Sequence, residues 1–195
     1  MRIIAGVFKS RLIDFPKAKI TRPMMDRMRE SVFNILGQTL DGLKVLDLFA
    51  GSGSVGLEAI SRGANHVTFV EQDLEAIGMI KKNLDSLGVT RDRYDIFQGS
   101  ASQVIRRLSQ RAFSYDLIFL DPPYNKGLIK KTLRQLERSV ILPKFGKIVI
   151  HRASQEGMEL AGIRRFQLET DRPLGQAFIS VLMAIEPCSQ VKKDL

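Results

Sequence analysis

The segment Asp121-Pro122-Pro123-Tyr124 joins a carboxylate, two prolines and an aromatic ring. Two consecutive prolines stiffen the backbone and delete two N–H donors, leaving carbonyl oxygens that only accept. An acceptor-only pocket suits an amino group. The exocyclic nitrogen of a nucleobase is a poor nucleophile because its lone pair is delocalised into the ring. Accepting its hydrogens at Asp121 and the Pro122 carbonyl draws that nitrogen toward tetrahedral geometry and aims its lone pair at an electrophilic carbon. Tyr124 can stack on the flat base, a contact worth ~1–3 kcal/mol. The base must then be extruded from its stack or already be unpaired. Such chemistry runs on alignment, and a near-attack geometry supplies up to ~7–11 kcal/mol. It needs no covalent intermediate. Methylation at a pyrimidine carbon uses a cysteine nucleophile, and the single cysteine, Cys188, follows the last expected strand, which disfavours that route.

A second constellation runs from Asp47 through Phe49, Gly51 and Gly53 to Gly56 and satisfies the pattern G-x-G-x-x-G. It lies between an expected strand and an expected helix, the context in which glycines let the backbone turn sharply and approach a ligand. Glu71 ends the next strand, where a carboxylate can accept from both hydroxyls of a ribose. Two nucleoside cofactors compete. A dinucleotide would set its pyrophosphate at the helix N-terminus, whereas S-adenosylmethionine has no phosphate and carries a cationic amine. Asp47 repels the first and can orient the second, which favours S-adenosylmethionine. Gly99-Ser100-Ala101, after the third strand, would flank the adenine. The cofactor set is therefore Asp47, Phe49, Gly51, Gly53, Glu71 and Ala101, with Asp121 shared between cofactor and substrate.

The elements that must position these residues alternate between short apolar runs and amphipathic stretches, the pattern of a parallel sheet covered by helices. Strands are expected at Lys44–Phe49, His66–Glu71, Asp95–Gln98, Tyr115–Leu120 and Lys147–His151. Helices are expected at Val55–Arg62, Leu74–Leu87, Ser102–Arg111 and Leu128–Val140, with Ile77, Ile80, Leu84 and Leu87 the clearest apolar stripe. Gly63 and Gly88 are positioned to close two of these helices. Both constellations fall at carboxyl ends of strands, where ligands of open α/β sheets bind. After Gly146, Arg164–Glu169 and Ala177–Ile185 form a hairpin at the sheet edge, joined by Thr170–Gln176. Before the sheet, Met1–Asp41 is a basic, strand-like arm followed by a helix whose stripe is Met28, Val32, Ile35 and Leu36. The chain divides into an appendage (1–41), a catalytic core (42–187) and a tail (188–195), all of one domain.

The 195 residues are 44% hydrophobic and 26% charged, which excludes disordered and repetitive classes. One cysteine and two histidines, His66 and His151, leave no ligand set for structural zinc or an iron–sulfur cluster, and no metal is expected. The longest nearly apolar run, Ala177 to Ile185, is nine residues, well short of the ~20 that span a bilayer. Met1–Arg11 has no signal-peptide core, so a cytoplasmic location without membrane contact is expected; separately, a monomer is expected. The net charge of +9 favours polyanionic partners through counterion release. Residues 1–30 carry eight basic and three acidic side chains, so the excess is concentrated there.

Asp47–Gly56, Glu71 and Asp121–Tyr124 together resemble the S-adenosylmethionine-dependent amino-methyltransferases. The resemblance implies a class I Rossmann-like fold, a seven-stranded, mostly parallel sheet with a reversed last strand. The element Arg22-Pro23-Met24-Met25-Asp26-Arg27-Met28-Arg29-Glu30, followed by Phe33-Asn34, is similar to that of the bacterial small-subunit (16S) ribosomal RNA guanine-N2 methyltransferases. Met24 and Met25 stand where that family has two threonines, which removes two hydroxyl contacts. The resemblance implies methyl transfer to the 2-amino group of one guanine, in a partly assembled small subunit. It also implies substrate RNA contacts from Arg22, Asp26, Arg27 and Arg29, beside Tyr124.

From the residues alone the substrate remains an amino group on a planar molecule, and an adenine-N6 methyltransferase needs the same loop. Protein glutamine methylation fits an Asn-Pro-Pro-Tyr loop and is disfavoured by Asp121. A nicotinamide oxidoreductase leaves the prolines unexplained, and a non-catalytic RNA-binding module explains only the charge. Arg172, Pro173 and Gly175, in the hairpin connection, read equally as an RNA-facing loop or a plain one. Lys126, Lys130, Lys131 and Arg134 read as phosphate contacts or as a solvated helix face. His151 and Arg152 end the fifth strand, as hydrogen-bonded strand residues or as substrate contacts, and His66 starts a strand at the surface.

Overall fold

The computed structural model describes residues 1–16, 22–124, 126–157, 160 and 162–186, with the side chains of residues 22–25 outside that set. Cys188 and the tail therefore lie outside the described residues, as do the side chains of Arg22, Met24 and Met25. The chain forms two compact units, residues 1–99 and 100–195, and the seven strands and intervening helices among the described residues give the mixed α/β, Rossmann-like class expected.

In the first unit, α1 (Arg22–Leu36) precedes β1 (Lys44–Asp47), α2 (Ser54–Ser61), β2 (His66–Glu71), α3 (Leu74–Leu87) and β3 (Tyr94–Gln98). The three strands are parallel, with β2 between the others. Val45, Leu46, Val67, Thr68, Phe69 and Val70 are all buried, the continuous apolar run of strands covered on both faces. The α3 stripe is as the spacing requires. Ile77, Ile80, Leu84 and Leu87 are buried, Asp73 caps the helix start by accepting from the Ala76 N–H at 2.9 Å, and Gly88 ends it at φ +71°. The α1 stripe differs from expectation. Met28, Val32 and Phe33 are buried, while Ile35 and Leu36 are half-buried.

Among its described residues the amino-terminal arm is not a regular strand, since the one bridge there joins Arg2 and Leu12. It is fixed to the helices instead. The buried Glu58 carboxylate on α2 accepts from the Ile4 N–H at 2.8 Å, the Ala5 N–H at 2.9 Å and Arg62 Nε at 2.9 Å. The Ser61 hydroxyl accepts from Phe8 N–H at 2.9 Å, and Asn83 on α3 both accepts from and donates to the Asp14 backbone. A charge within an amphipathic helix reads as solvent-facing, yet Glu58 is fully buried because the arm's backbone donors need an acceptor.

In the second unit, α4 (Ala101–Gln110), β4 (Leu117–Leu120), α5 (Leu128–Glu137) and β5 (Lys147–Ala153) lead to β6 (Phe166–Leu174) and β7 (Ala177–Ala184). β4 and β5 are parallel, and β7 lies between β5 and β6, antiparallel to both. The last strand is thus reversed, as expected. α5 stops at Glu137 although its apolar spacing continues. The buried Arg165 explains the stop, donating to the carbonyls of Leu136 at 2.8 Å and Ser139 at 2.7 Å and to that of Leu142, which satisfies backbone acceptors that the end of a helix leaves over. The hairpin also departs from expectation. β6 runs to Leu174 with a bulge between Leu168 and Thr170, and the connection shrinks to Gly175-Gln176. Arg172 and Pro173 therefore sit in a strand rather than a loop. β6 is largely exposed, and on such a strand proline is tolerated and charges discourage further pairing. Among the described residues no helix is long and apolar enough to cross a membrane.

Candidate active site

In the first unit the glycine loop follows β1, whose last residue, Asp47, is buried. Hydrogen bonds hold the loop on several sides. Ala50 N–H donates to the Val70 carbonyl at 3.0 Å and Gly53 N–H to the Ala50 carbonyl at 2.7 Å. The Ser52 carbonyl accepts from Asn83 Nδ2 at 3.1 Å. Gly53 stands at φ +80° as the residue that opens α2, a conformation glycine adopts without steric cost. Gly56 has a different reason to be glycine, since a Cβ there would lie 2.3 Å from Phe69 Cε1 on β2. The third glycine is what lets α2 approach the sheet.

Glu71, at the end of β2, braces this loop. Its Oε2 accepts from Gly51 N–H at 2.8 Å, and its Oε1 accepts from the Gln72 and Asp73 N–H groups at 2.7 and 3.0 Å. A carboxylate offers about four lone-pair sites, so these bonds orient it without exhausting it. Gly51 is at φ +53°, and a Cβ built there would meet nothing within 4 Å. The glycine thus leaves open space at the carboxylate's partner, and an acidic, hydroxyl-accepting cradle of this kind fits a nucleoside with a free ribose diol. Phe49 beside it is half-buried. Gly99 N–H donates to the Glu71 carbonyl at 2.9 Å. Ala101, in the second unit, is buried as the first residue of α4, which Ser100 and Gln103 cap reciprocally.

In the second unit, the parallel register pairs Leu120 with Ile150, so Asp121, just past the end of β4, lies level with His151 within β5. His151 Nδ1 lies 2.8 Å from Asp121 Oδ1, and the Tyr124 hydroxyl lies 3.2 Å from His151 Nε2. The Tyr124 and His151 rings meet edge to face, centroids 5.6 Å apart at 64°. Pro122 is buried, whereas Pro123 and Tyr124 are exposed, leaving the aromatic ring accessible. Partial burial and then the Asp121 and Glu156 carboxylates push the Tyr124 phenol up to about 12, since each disfavours a phenolate. In a phenolate absorbance titration, the transition lost in Tyr124→Phe is expected near pH 12, well above the ~10 of a free phenol. A transition lost near 10 would contradict this environment.

The other expected residues divide. Asp26 is half-exposed and Arg27 exposed on α1. Arg29 is fully buried, with Nη2 donating to the Arg2 carbonyl at 2.7 Å and to Asp26 Oδ1 at 2.5 Å. Its guanidinium ties α1 to the arm instead of standing at the surface where RNA contact was expected. Arg172 and Gly175 are exposed, the first on β6 and the second in the turn. Lys126, Lys131 and Arg134 are exposed and Lys130 is half-buried. Arg152 is buried, paired with Asp171 at 2.7 and 2.9 Å and with the Ser180 hydroxyl at 3.0 Å, so it serves the sheet. His66 pairs with Asp95 at 3.1 Å. The close bond between His151 and Asp121 is what sequence reasoning missed; the one signal was that Asp121 follows one expected strand and His151 ends the next, and their meeting is visible only once β4 and β5 are paired.

The family model described as Conserved hypothetical protein 95 matches residues 1–183. The Bacillus subtilis protein YlbH is 38% identical over 149 residues, 76% of this chain and 80% of that protein. The protein named ribosomal RNA small subunit methyltransferase D of Escherichia coli strain K12 is 33% identical over 158 residues, 81% of this chain and 77% of its own. Among solved structures, yhhF of Escherichia coli aligns with a TM-score of 0.83 at 29% identity, covering 95% of this chain and 98% of that one. SMU.776, solved in complex with SAH, shares the fold at a TM-score of 0.69 and 15% identity, over 84% of this chain and 50% of its own. The chain therefore belongs to the Conserved hypothetical protein 95 family and is a relative of the proteins named ribosomal RNA small subunit methyltransferase D.

Proposed function

We propose that this protein methylates the exocyclic 2-amino group of a guanine in small-subunit ribosomal RNA, with S-adenosylmethionine as the methyl donor and a partly assembled subunit as the substrate. The observation that carries this reading is the Asp121 carboxylate. It stands partly exposed at the end of β4, oriented through one oxygen by His151 and followed by two prolines that contribute no donors. An acceptor so placed has an amino group as its natural ligand. The relatives' names supply the polymer, and the charge of +9 suits it.

When bound, S-adenosylmethionine supplies an electrophilic methyl on a cationic sulfur. Asp121 and the Pro122 carbonyl accept the amino hydrogens, which turns the nitrogen lone pair out of conjugation, and Tyr124 stacks on the extruded base. Glu71 receives the ribose hydroxyls, Asp47 faces the cationic amine, and Phe49, Gly51, Gly53 and Ala101 complete the nucleoside's surroundings. Asp26, Arg27, Arg172 and Gly175 meet the RNA at the surface, and Arg22 is assigned the same role.

The reading is tested by incubating the protein and labelled cofactor with under-methylated small-subunit particles, naked ribosomal RNA or DNA, and then mapping the modified base. N2-methylguanine in the particles is expected. Label on adenine, or in DNA, would replace the reading with an adenine-N6 activity. Glu71→Ala is expected to weaken cofactor binding in calorimetry by roughly 10- to 100-fold, the equivalent of a hydrogen bond to a charged group. Unchanged affinity would remove Glu71 from the cofactor set.

A further inference from the structure

We propose that His151 is a positioning residue for this reaction, its ring holding the Asp121 carboxylate through Nδ1 and the Tyr124 hydroxyl through Nε2 so that amine acceptor and stacking platform form one unit. The inference rests on the functional reading above and extends it to a residue on a different strand from the proline loop. Neutral imidazole has one N–H and one bare nitrogen. A carboxylate only accepts, so the 2.8 Å contact with Asp121 Oδ1 assigns the hydrogen to Nδ1. The Tyr124 hydroxyl lies 3.2 Å from Nε2 and 3.3 Å from Nδ1. With Nδ1 committed to Asp121, Nε2 is the nitrogen left to accept from the phenol.

This arrangement supplies what the loop lacks. The last torsion of an aspartate is broad and roughly two-fold, so a carboxylate without a fixed partner would rotate away from the plane of an incoming amine. Engaging Oδ1 sets that plane and leaves Oδ2 as the acceptor for the amino hydrogen. Tyr124 is exposed at a loop position following two prolines, and its hydroxyl is the handle by which the ring is held against His151, edge to face. His151 itself is well anchored, with a side chain 13% exposed. The next residue on its strand, Arg152, is clamped by Asp171, Ser180 and the Glu156 carbonyl. The rigidity of β5 is thereby delivered to a loop that has little of its own.

Two measurements test the proposal. The first is the histidine tautomer, read from two-bond nitrogen–proton correlations in protein labelled at its two histidines, with His151 assigned by its loss in His151→Asn. The Nδ1–H tautomer is expected in the neutral ring, turning to Nε2–H in Asp121→Ala. A wild-type ring in the Nε2–H form would overturn the proposal. The second is kinetic. His151→Ala is expected to lower kcat roughly 10- to 100-fold with the KM for S-adenosylmethionine unchanged. His151→Asn, whose amide N–H can replace Nδ1–H, recovers most of kcat but keeps a raised KM for RNA, because it offers nothing in place of Nε2. Tyr124→Phe adds no further loss of RNA affinity in the His151→Asn background. Wild-type kcat in His151→Ala, or no recovery in a folded His151→Asn, would also overturn it. Should the wild-type protein methylate no ribosomal RNA, the functional reading fails, and the tautomer still decides whether His151 holds Asp121.

Discussion

Asp121→Ala is expected to lower methyl transfer by roughly 10²- to 10³-fold, the loss found when one preorganised polar group is removed from the place where charge develops, while cofactor binding stays largely intact. The asymmetry follows from what the carboxylate does. In the proposed reaction its work lies with the amino group, whose lone pair becomes available only as its hydrogens are drawn aside. Asp121→Asn separates charge from geometry, since an amide keeps one acceptor oxygen but brings a donor to face the His151 Nδ1–H or the substrate's own N–H. A labelled-methyl assay beside calorimetry reads the two effects separately. Equal activity of Asp121→Ala would remove the residue from the reaction, and parallel loss of affinity and rate would make it a cofactor ligand first.

Glu58→Ala is expected to destabilise the protein by about 3–5 kcal/mol, the cost of breaking a buried ion pair by removing one partner. Glu58 is completely buried, as is Arg29, whose Nη1 lies 3.7 Å away, and Arg62 bonds it through Nε at 2.9 Å. The same two oxygens accept from the backbone of Ile4 and Ala5. Alanine leaves two guanidinium groups without their shared counter-charge and two backbone donors without an acceptor, inside a structure that excludes water from them. Urea denaturation should show a lower midpoint with an unchanged slope. A loss under about 1 kcal/mol, the range of exposed ion pairs, would contradict the burial described above.

Glu58 also marks the limit of reading this chain from its letters. Periodicity located α3 to the residue, because Ile77, Ile80, Leu84 and Leu87 face the core while the charged residues between them face water, and that contrast is written locally; the buried Asn83 is the exception. The strands β1, β2 and β4 were legible for a related reason, each being built on a short run of mostly apolar, buried residues. β6 was read too short because most of its side chains are exposed, so its pattern resembles that of a loop. Arg29 read as an RNA contact at the surface, yet it is buried, with one of its partners, the Arg2 carbonyl, 27 positions away.

The two chemical loops were readable because their chemistry is local: a glycine is needed where the backbone turns, and two prolines delete donors wherever they stand. Each loop's composition therefore announced the class of ligand it could take. Folding alone settled which distant groups would meet those loops. His151 reaches Asp121 because parallel pairing of β4 with β5 brings to one level two residues thirty positions apart. Arg29 left the surface because the arm's Arg2 carbonyl and the buried Glu58 carboxylate on α2 gather around its guanidinium. Burial and strand register are properties of many segments at once, and no window of sequence contains them.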